Sequence, residues 1–310
     1  MTQVGVLIAA KDAAGTIGRA VASALAQPQV SEVIVVDDGS ADDTAARALR
    51  HDDGTGRVRV RRRPDSGGPA AARNLALALA TAPVVAILDA DDHFLPGRIA
   101  ALLAAGGADW DFLADGLLMV PDGAPLAAAR RQDVRARVGA DMLSLETFIA
   151  GCMPRPRQTR QELGFMKPLI RRDFLDRTGL RYDPGLRLGE DTALYARALL
   201  HGARFRLVPG CFYVAVRRAD SLSGSHGAAD LANLARASFD LARLPGLTPS
   251  QRAALLRHAV SVLRRADYRA ALDLKQQRRF LRLAAFLSSN LRSVPYMIRQ
   301  SARARFATEA

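Results

Sequence analysis

The sequence predicts an α/β protein built on a parallel sheet with helices on both faces, and three observations predict it. Up to about residue 115, short β-branched runs alternate with alanine-rich stretches of helical period. Two of the runs, VIVV and VVAIL, are apolar without interruption, as strands covered on both faces must be. Carboxylates come where those runs stop, the end at which an open parallel sheet gathers its ligand-binding loops.

The elements follow in order. Val4–Ala10 predicts a first strand and Thr16–Ala26 the helix that crosses over from it. Glu32–Asp38 predicts a second strand, with Asp42 starting a helix over Asp42–Arg50. Val58–Arg62 is a third strand, and Pro69, suited to a first helical turn, opens a helix to Ala80. Val84–Asp89 is a fourth, followed by a helix over Leu95–Ala105. From 116 to about 159, glycine, proline and arginine break the periodicity, and the stretch reads as a connection that adapts to a second substrate. Regularity returns at Lys167: a helix over Arg171–Thr178, another after Glu190, then FRLV-PG-CFYVAV, in which Pro209-Gly210 predicts a hairpin. After Gly227 the pattern is helical almost to the end. The expected division is 1–115, 116–226 and 227–310.

Composition bounds the function. At 310 residues, 49% hydrophobic and 24% charged, the chain has material for a large core, which excludes a disordered or fibrous protein. Its net charge of +13 is carried almost entirely by arginine and points toward phosphates or an anionic surface, although arginine bias also arises from genomic composition. Cys152 and Cys211 stand far apart with no CxxC spacing, so neither a disulfide framework nor a zinc site is expected, and a reducing cytoplasm fits. MTQVGVLIAAKDAAG has no basic leader, and the longest weakly polar run is interrupted by Thr81 and Pro83, so no signal peptide or membrane span is expected.

Three clusters fall at strand ends. In Val35-Val36-Asp37-Asp38-Gly39-Ser40 the acids close the second strand, Gly39 permits a tight turn, and Ser40 or Asp42 caps the next helix; a plain Asx turn explains this cluster alone. Ile87-Leu88-Asp89-Ala90-Asp91-Asp92 is a DxD pattern after a buried strand. Residues two apart on extended chain project to one side, so Asp89 and Asp91 can approach one hard divalent cation bridging a diphosphate, while Asp92 faces elsewhere or caps a helix at Phe94-Leu95. Between them, Gly67 and Gly68 let backbone approach a ligand, and Arg73 sits one turn into the following helix, within reach of a base or phosphate; a solvated helix arginine is the bland alternative.

VGVLIAAKDAAGTIGRAVASALAQ, VIVVDDGSADDT, GGPAAARNLALALA and VVAILDADDHFLP, in this order and spacing, resemble the family-2 inverting glycosyltransferases of the GT-A fold. The resemblance continues through KPLIRRDFLDRTGLRYDPGLRLGEDTALYARALLHGARFRLVP, to about residue 224, and within the family is most similar to bacterial exopolysaccharide enzymes of the succinoglycan type. It implies a Rossmann-like nucleotide-sugar-binding sheet, an acceptor subdomain and a helical C-terminal extension. It implies a nucleotide-diphosphate sugar donor, usually UDP-linked, with Ala9 and the neighbouring backbone, Asp38 and Arg73 around the uridine, and Ala10, Asp12, Asp37 and Gly67 also in the nucleotide-sugar site. Asp89, Ala90 and Asp91 match the family's DxD, Asp91 being placed ahead of Asp89 as direct ligand of a Mn2+ or Mg2+ ion. Lys11 stands where many members carry tyrosine and Asp12 where they carry asparagine, which removes an aromatic stack on the base.

Inverting transfer needs a carboxylate to take the acceptor's proton on one face of the anomeric carbon and a stabilised leaving group on the other. Gly189-Glu190-Asp191-Thr192 supplies the carboxylates in the first turn of an amphipathic helix, where an ordinary N-terminal acid pair is the alternative. The resemblance to the family's ED motif makes Asp191 the base and Glu190 its orienting or acceptor-contacting neighbour. Lys167 and Arg217 are candidates for a diphosphate, as are Arg171, Arg172, Arg218 and His226, each set against a plain solvated role. Basic residues from Lys275 to Arg305 alternate with Leu281, Phe286, Leu287, Leu291, Tyr296, Met297 and Ile298, broken near Pro295. Such helices suit an anionic lipid surface and a polyprenyl-diphosphate saccharide acceptor at the inner face of the cell membrane, or simply cover the catalytic domain or form a dimer contact.

The expectation is therefore a hexosyltransferase, with glucose favoured by family analogy. The rivals are a sugar-1-phosphate nucleotidyltransferase, which would carry a glycine- and arginine-rich first loop, and a nucleic-acid-binding protein, disfavoured by 5% aromatic content and dispersed arginines. No GxGxxG follows the first strand, which disfavours dinucleotide oxidoreduction.

Overall fold

The computed structural model describes residues 2–153, 163–218 and 226–308. They belong to two compact units, 1–219 and 220–310. The SLSGS segment singled out in the sequence lies outside the described residues.

In the first unit β1 (Val4–Ala10), β2 (Val30–Asp37), β3 (Val58–Arg62) and β4 (Val84–Asp89) are joined by α1 (Ile17–Leu25), α2 (Thr44–Arg50) and α3 (Gly68–Leu79). A two-residue β5 (His93–Phe94) and α4 (Arg98–Gly106) follow, then β6 (Phe112–Pro121), β7 (Arg130–Gln132), α5 (Val134–Val138) and α6 (Leu145–Cys152). The unit closes with β8 (Leu169–Arg171), α7 (Arg172–Thr178), α8 (Glu190–Leu200) and β9 (Phe205–Arg217). The strands form one mixed sheet in the order β3-β2-β1-β4-β8-β6-β9-β5, with β7 added beside β6.

The apolar runs explain the parallel half. β1 lies between β2 and β4, and Val6, Ile8, Val33, Val35, Ala86 and Leu88 are buried in one cluster with Ile17 and Val21 of α1. The register then fixes the site: Ala9 pairs with Val36 on one side and Asp89 on the other, and Ala10 pairs with Asp37. The acids that end β2 and β4 therefore flank the end of β1 at one level. Gly39, at φ +73°, makes the turn after β2; a Cβ there would stand 3.0 Å from the Ser66 nitrogen, so the turn and the loop before α3 close against each other only because the side chain is absent.

Three expectations are corrected. Phe205–Arg217 is one strand, not a hairpin, because it stays parallel to β6 on both sides of Pro209-Gly210, and shifts of register absorb the pair as an irregularity. The helix expected at Leu95 begins at Arg98, since His93–Phe94 pairs with Tyr213 and Val214 instead. Of the two readings open for Asp92, the helix cap fails and the other holds: its carboxylate turns to β9, accepting from the Tyr213 hydroxyl and the Val216 N–H. The stretch from 116, expected to be irregular, carries the rest of β6 together with β7, α5 and α6.

The second unit contains α9 (Ala228–Ala242), α10 (Pro249–Gln276), α11 (Phe280–Ser289) and α12 (Val294–Thr308). Thr248 and Gln251 form a reciprocal capping box that starts the long α10. Leu231, Leu234 and Ala235 of α9 are buried, as are Leu255, Ala259 and Val262 of α10 against which that helix packs. Among the described residues no helix is long and apolar enough to cross a membrane.

Candidate active site

The Asp37-Asp38 end of β2 organises the loops around it. Asp38 is buried and accepts from the N–H groups of Gly67 and Gly68 at 3.1 and 2.8 Å, from the Ser66 hydroxyl at 2.8 Å, and from Arg63. Burial opposes its charge, but these donors outweigh it and hold the carboxyl below its ordinary range. Asp37 accepts from Ser40 N–H at 2.9 Å. Asp12, in the left-handed region at φ +48°, ties the loop after β1 to the same turn: its N–H donates to Ser40 Oγ and its carboxylate accepts from Ala41 N–H. Ala9, Ala10, Asp12, Asp37, Asp38 and Gly67 are thus assembled at the carboxyl ends of β1 and β2.

A second assembly forms at the end of β4. Arg73 is buried in α3, not solvated, and its guanidinium faces three carboxylates: Nη2 meets Asp89 Oδ1 at 2.7 Å, Nη1 meets Glu190 Oε1 at 2.5 Å, and Asp191 Oδ1 is 3.6 Å from Nη1. Lys167, also buried, places Nζ 2.9 Å from Asp89 Oδ2 and 2.6 Å from Asp191 Oδ2. Two cations therefore hold three carboxylates, leaving one negative charge in excess. The neighbouring Asn74 grips the Tyr182 backbone with hydrogen bonds of 2.8 and 2.9 Å, which sets the Tyr182 ring against Arg73, 5.5 Å from its centroid. Gly189, at φ +72°, turns the chain so that Glu190 and Asp191 open α8 at this point.

The electrostatics differ sharply among these acids. Burial opposes the charge of Asp89, but Lys167 and Arg73 overcome it and hold its carboxyl far below the ordinary range. Burial likewise opposes the charge of Lys167, and Asp191 and Asp89 hold its ammonium above its ordinary range. Glu190 goes the other way: burial pushes its carboxyl up, Arg73 offsets this only in part, and Asp191 adds to it. Asp191 Oδ1 is buried and accepts no hydrogen bond among the described residues, while Oδ2 is fixed by Lys167.

Asp91 stands apart. Among the described residues its carboxylate makes no hydrogen bond or ion pair with another residue's side chain; burial and then the charge of Asp89 raise its pKa, and Arg218 and Lys167 act in the opposite direction. Arg19 donates to its backbone carbonyl at 3.0 Å, which holds the loop. Among the described residues no group of three or more His, Cys, Asp or Glu is arranged to hold a metal. The donor set instead fits a hard divalent cation of the kind bound by one or two carboxylates with phosphate and water oxygens completing its shell: Asp91 offers a carboxylate that pairs with no side chain among the described residues, and Asp89 one shared by Arg73 and Lys167.

The other basic candidates separate. Arg217 is exposed at the end of β9, and the charge of its neighbour Arg218, with that of Lys167, reaches Asp91. Arg171 donates to Trp110 O and Arg172 to Ala80 O, so both are spent on the scaffold. His226 Nδ1 lies 3.9 Å from Asp230 in the second unit. Asp92, Tyr213 and Tyr182 were not candidates from sequence; nothing local marks them, because their partners are more than 100 positions away in the chain.

Residues 5–154 match the model of glycosyl transferase family 2. The chain is 46% identical over 297 residues to the succinoglycan biosynthesis protein ExoU of Rhizobium meliloti (strain 1021), covering 96% of this chain and 86% of that protein. The chain belongs to glycosyl transferase family 2. It transfers a sugar from a nucleotide-diphosphate sugar. A second relative, the succinoglycan biosynthesis protein ExoO of the same organism, is 37% identical over 220 residues, 70% of this chain and 61% of its own length. The GT-A-like fold recurs in S. aureus TarS 1-349 in complex with UDP-GlcNAc, at TM-score 0.60 and 17% identity over 84% of this chain and 72% of that one. It recurs also in the mannosyltransferase PcManGT from Pyrobaculum calidifontis in complex with GDP-Man and Mn2+, at TM-score 0.56 and 16% identity over 96% and 84%.

Proposed function

We propose that this family-2 enzyme transfers a hexose, glucose by family analogy, from a UDP-linked donor to a lipid-linked saccharide during exopolysaccharide synthesis, by a single displacement that inverts the anomeric centre. One observation carries the mechanism: Lys167 fixes Oδ2 of Asp191 at 2.6 Å, while Oδ1 accepts no hydrogen bond among the described residues and has Arg73 at 3.6 Å, an arrangement that supports a general base. Asp191 Oδ1 takes the proton of the acceptor hydroxyl as that oxygen bonds to the anomeric carbon and the bond to the departing diphosphate breaks. Glu190, paired to Arg73 rather than Lys167, orients the acceptor instead of sharing this task. Two adjacent helical residues point about 100° apart, which supports the division.

Ala9, Ala10, Asp12, Asp37, Asp38 and Gly67 take the nucleoside side of the donor. Asp91 and Asp89 are the residues that would hold a Mn2+ or Mg2+ ion. When bound, the ion supplies Lewis-acid relief of the negative charge on the leaving diphosphate. Arg73 and Lys167 keep Asp89 ionised. The names of the two succinoglycan relatives support the exopolysaccharide setting. Exposed Phe280, Leu281, Leu291 and Ile298, interleaved with Arg278, Arg279, Arg282 and Arg299, support peripheral contact with an anionic membrane at its cytoplasmic face.

A screen of nucleotide sugars with Mn2+ or Mg2+, read as binding and as slow donor hydrolysis, tests the donor without an acceptor. UDP-hexose selectivity is the expected result; metal-independent preference for another nucleotide overturns the donor reading. Retention of anomeric configuration in the product, read by NMR, overturns the single displacement.

A further inference from the structure

Beneath the carboxylate cluster lies a second buried ion pair, which the chemistry above does not use. Arg98, the first residue of α4, is completely buried, and its Nε and Nη2 reach Asp115 Oδ1 at 3.2 and 2.7 Å. Nη2 also donates to the backbone carbonyl of Lys167 at 2.6 Å. The guanidinium lies over the rings of Phe94 and Tyr213, 4.6 and 5.2 Å from their centroids. Asp115 spends its other oxygen on the N–H of Phe212, at 2.7 Å. Arg98 Nη1 is buried and has no hydrogen-bond partner among the described residues.

This is a costly way to fill a core. Burying an arginine and a carboxylate carries a desolvation penalty that well-packed apolar residues avoid, so the pair is weak evidence for stability. What it supplies is direction. A guanidinium is a rigid plane that donates along several edges while its face covers aromatic rings, which neither lysine nor an apolar side chain can do. Here one edge is fixed to β6 through Asp115, and the same Nη2 holds the carbonyl of the residue whose ammonium stands between Asp89 and Asp191. The face covers Tyr213, whose hydroxyl donates to Asp92 at 2.7 Å and accepts from the Asp89 N–H at 3.1 Å. Both routes out of Arg98 end at the residues assigned to the reaction.

We propose that Arg98, anchored by Asp115, is a positioning residue for transfer: it sets the backbone of Lys167 and so the orientation of the proton-accepting Asp191. The inference rests on the reading of Asp191 and Lys167 as the reaction centre. It assigns Arg98 no contact with donor or acceptor.

The test is a double-mutant cycle of Arg98→Lys with Lys167→Met, read by single-turnover transfer, with donor affinity measured separately by calorimetry. Arg98→Lys keeps a buried cation but cannot span Asp115 and the Lys167 carbonyl. Its transfer rate falls by roughly 10- to 100-fold, the scale of an ångström-level misplacement, with donor affinity held within about threefold. In the Lys167→Met background the same substitution changes the rate by less than about threefold, because its route to Asp191 is already cut. A rate within about twofold of wild type in Arg98→Lys overturns the proposal. So does a loss of undiminished size in the Lys167→Met background, which marks a merely structural role. Asp115→Asn, which keeps size and one acceptor, carries the same cycle if Arg98→Lys does not fold. Failure of the underlying reading appears elsewhere, as near-normal transfer in Lys167→Met alone.

Discussion

Lys167→Met removes the ammonium that Asp191 and Asp89 share at 2.6 and 2.9 Å and replaces it with an unbranched apolar chain. The buried cluster then sets one cation, Arg73, against three carboxylates. A hydrogen bond to a charged group contributes about 1.5–3 kcal/mol, and breaking a buried pair by removing one partner costs about 3–5 kcal/mol, so a loss of about 4 kcal/mol in unfolding free energy is expected. The pH dependence follows from the two shifted groups. Asp89 has its folded pKa below the ordinary 3.8, so its contribution is present above that value and is lost as pH falls below it. Lys167 has its folded pKa above the ordinary 10.5, so its contribution is present below that value and is lost as pH rises through the folded value. Both contributions to the wild type are therefore complete from about pH 5 to 9 and fade only outside that window. Urea denaturation across this range, with single-turnover transfer at neutral pH, measures both effects; transfer falls about 100-fold as Asp191 loses its tether. A gap under about 1 kcal/mol, the range of an exposed pair, refutes the buried network.

Three further outcomes are expected. Asp91→Ala abolishes the metal-dependent part of donor binding while leaving the fold intact, checked by calorimetry with and without Mn2+; undiminished metal-dependent affinity removes Asp91 from that role. His258 is buried against Ser238, with Nδ1 2.9 Å from the hydroxyl, and burial pushes its pKa down to about 4 from 6.5. Its contribution is present above pH 6.5 and is lost as pH falls toward 4, so the unit formed by 220–310 loses about 3 kcal/mol over that interval, a loss that His258→Gln abolishes in acid melts. The chain co-sediments with vesicles containing anionic lipid, weakening as salt rises, and replacing Phe280 and Leu281 by serine lowers that binding; indifference to anionic lipid contradicts the membrane contact.

The parallel half of the sheet was legible because buried parallel strands leave uninterrupted apolar runs, and the acids at 37–38 and 89–91 were legible because strand ends collect ligand-binding groups. The Glu190-Asp191 helix start was legible from Gly189 and the apolar face that follows. What the sequence concealed is pairing at long range. Pro209-Gly210 has the composition of a hairpin turn, and only the parallel partner β6, about 90 positions earlier, keeps the strand straight through it. Arg73 was singled out for a base or phosphate and Arg98 not at all, yet each is buried among groups that fold in from elsewhere: Glu190 for one, Asp115 and the Lys167 carbonyl for the other. Asp92 sits beside two strand-end acids but is bonded to β9, a role that no local spacing distinguishes from theirs.

The central claim is that Asp191 takes the acceptor's proton, and Asp191→Asn tests it most directly, since the amide keeps the shape and an oxygen for Lys167 but gives up the basic carboxylate. Donor affinity by calorimetry should stay within about threefold of wild type while acceptor transfer falls by about 100- to 10,000-fold, the usual share of a general base. Transfer within about tenfold of wild type, with the donor still bound, contradicts it.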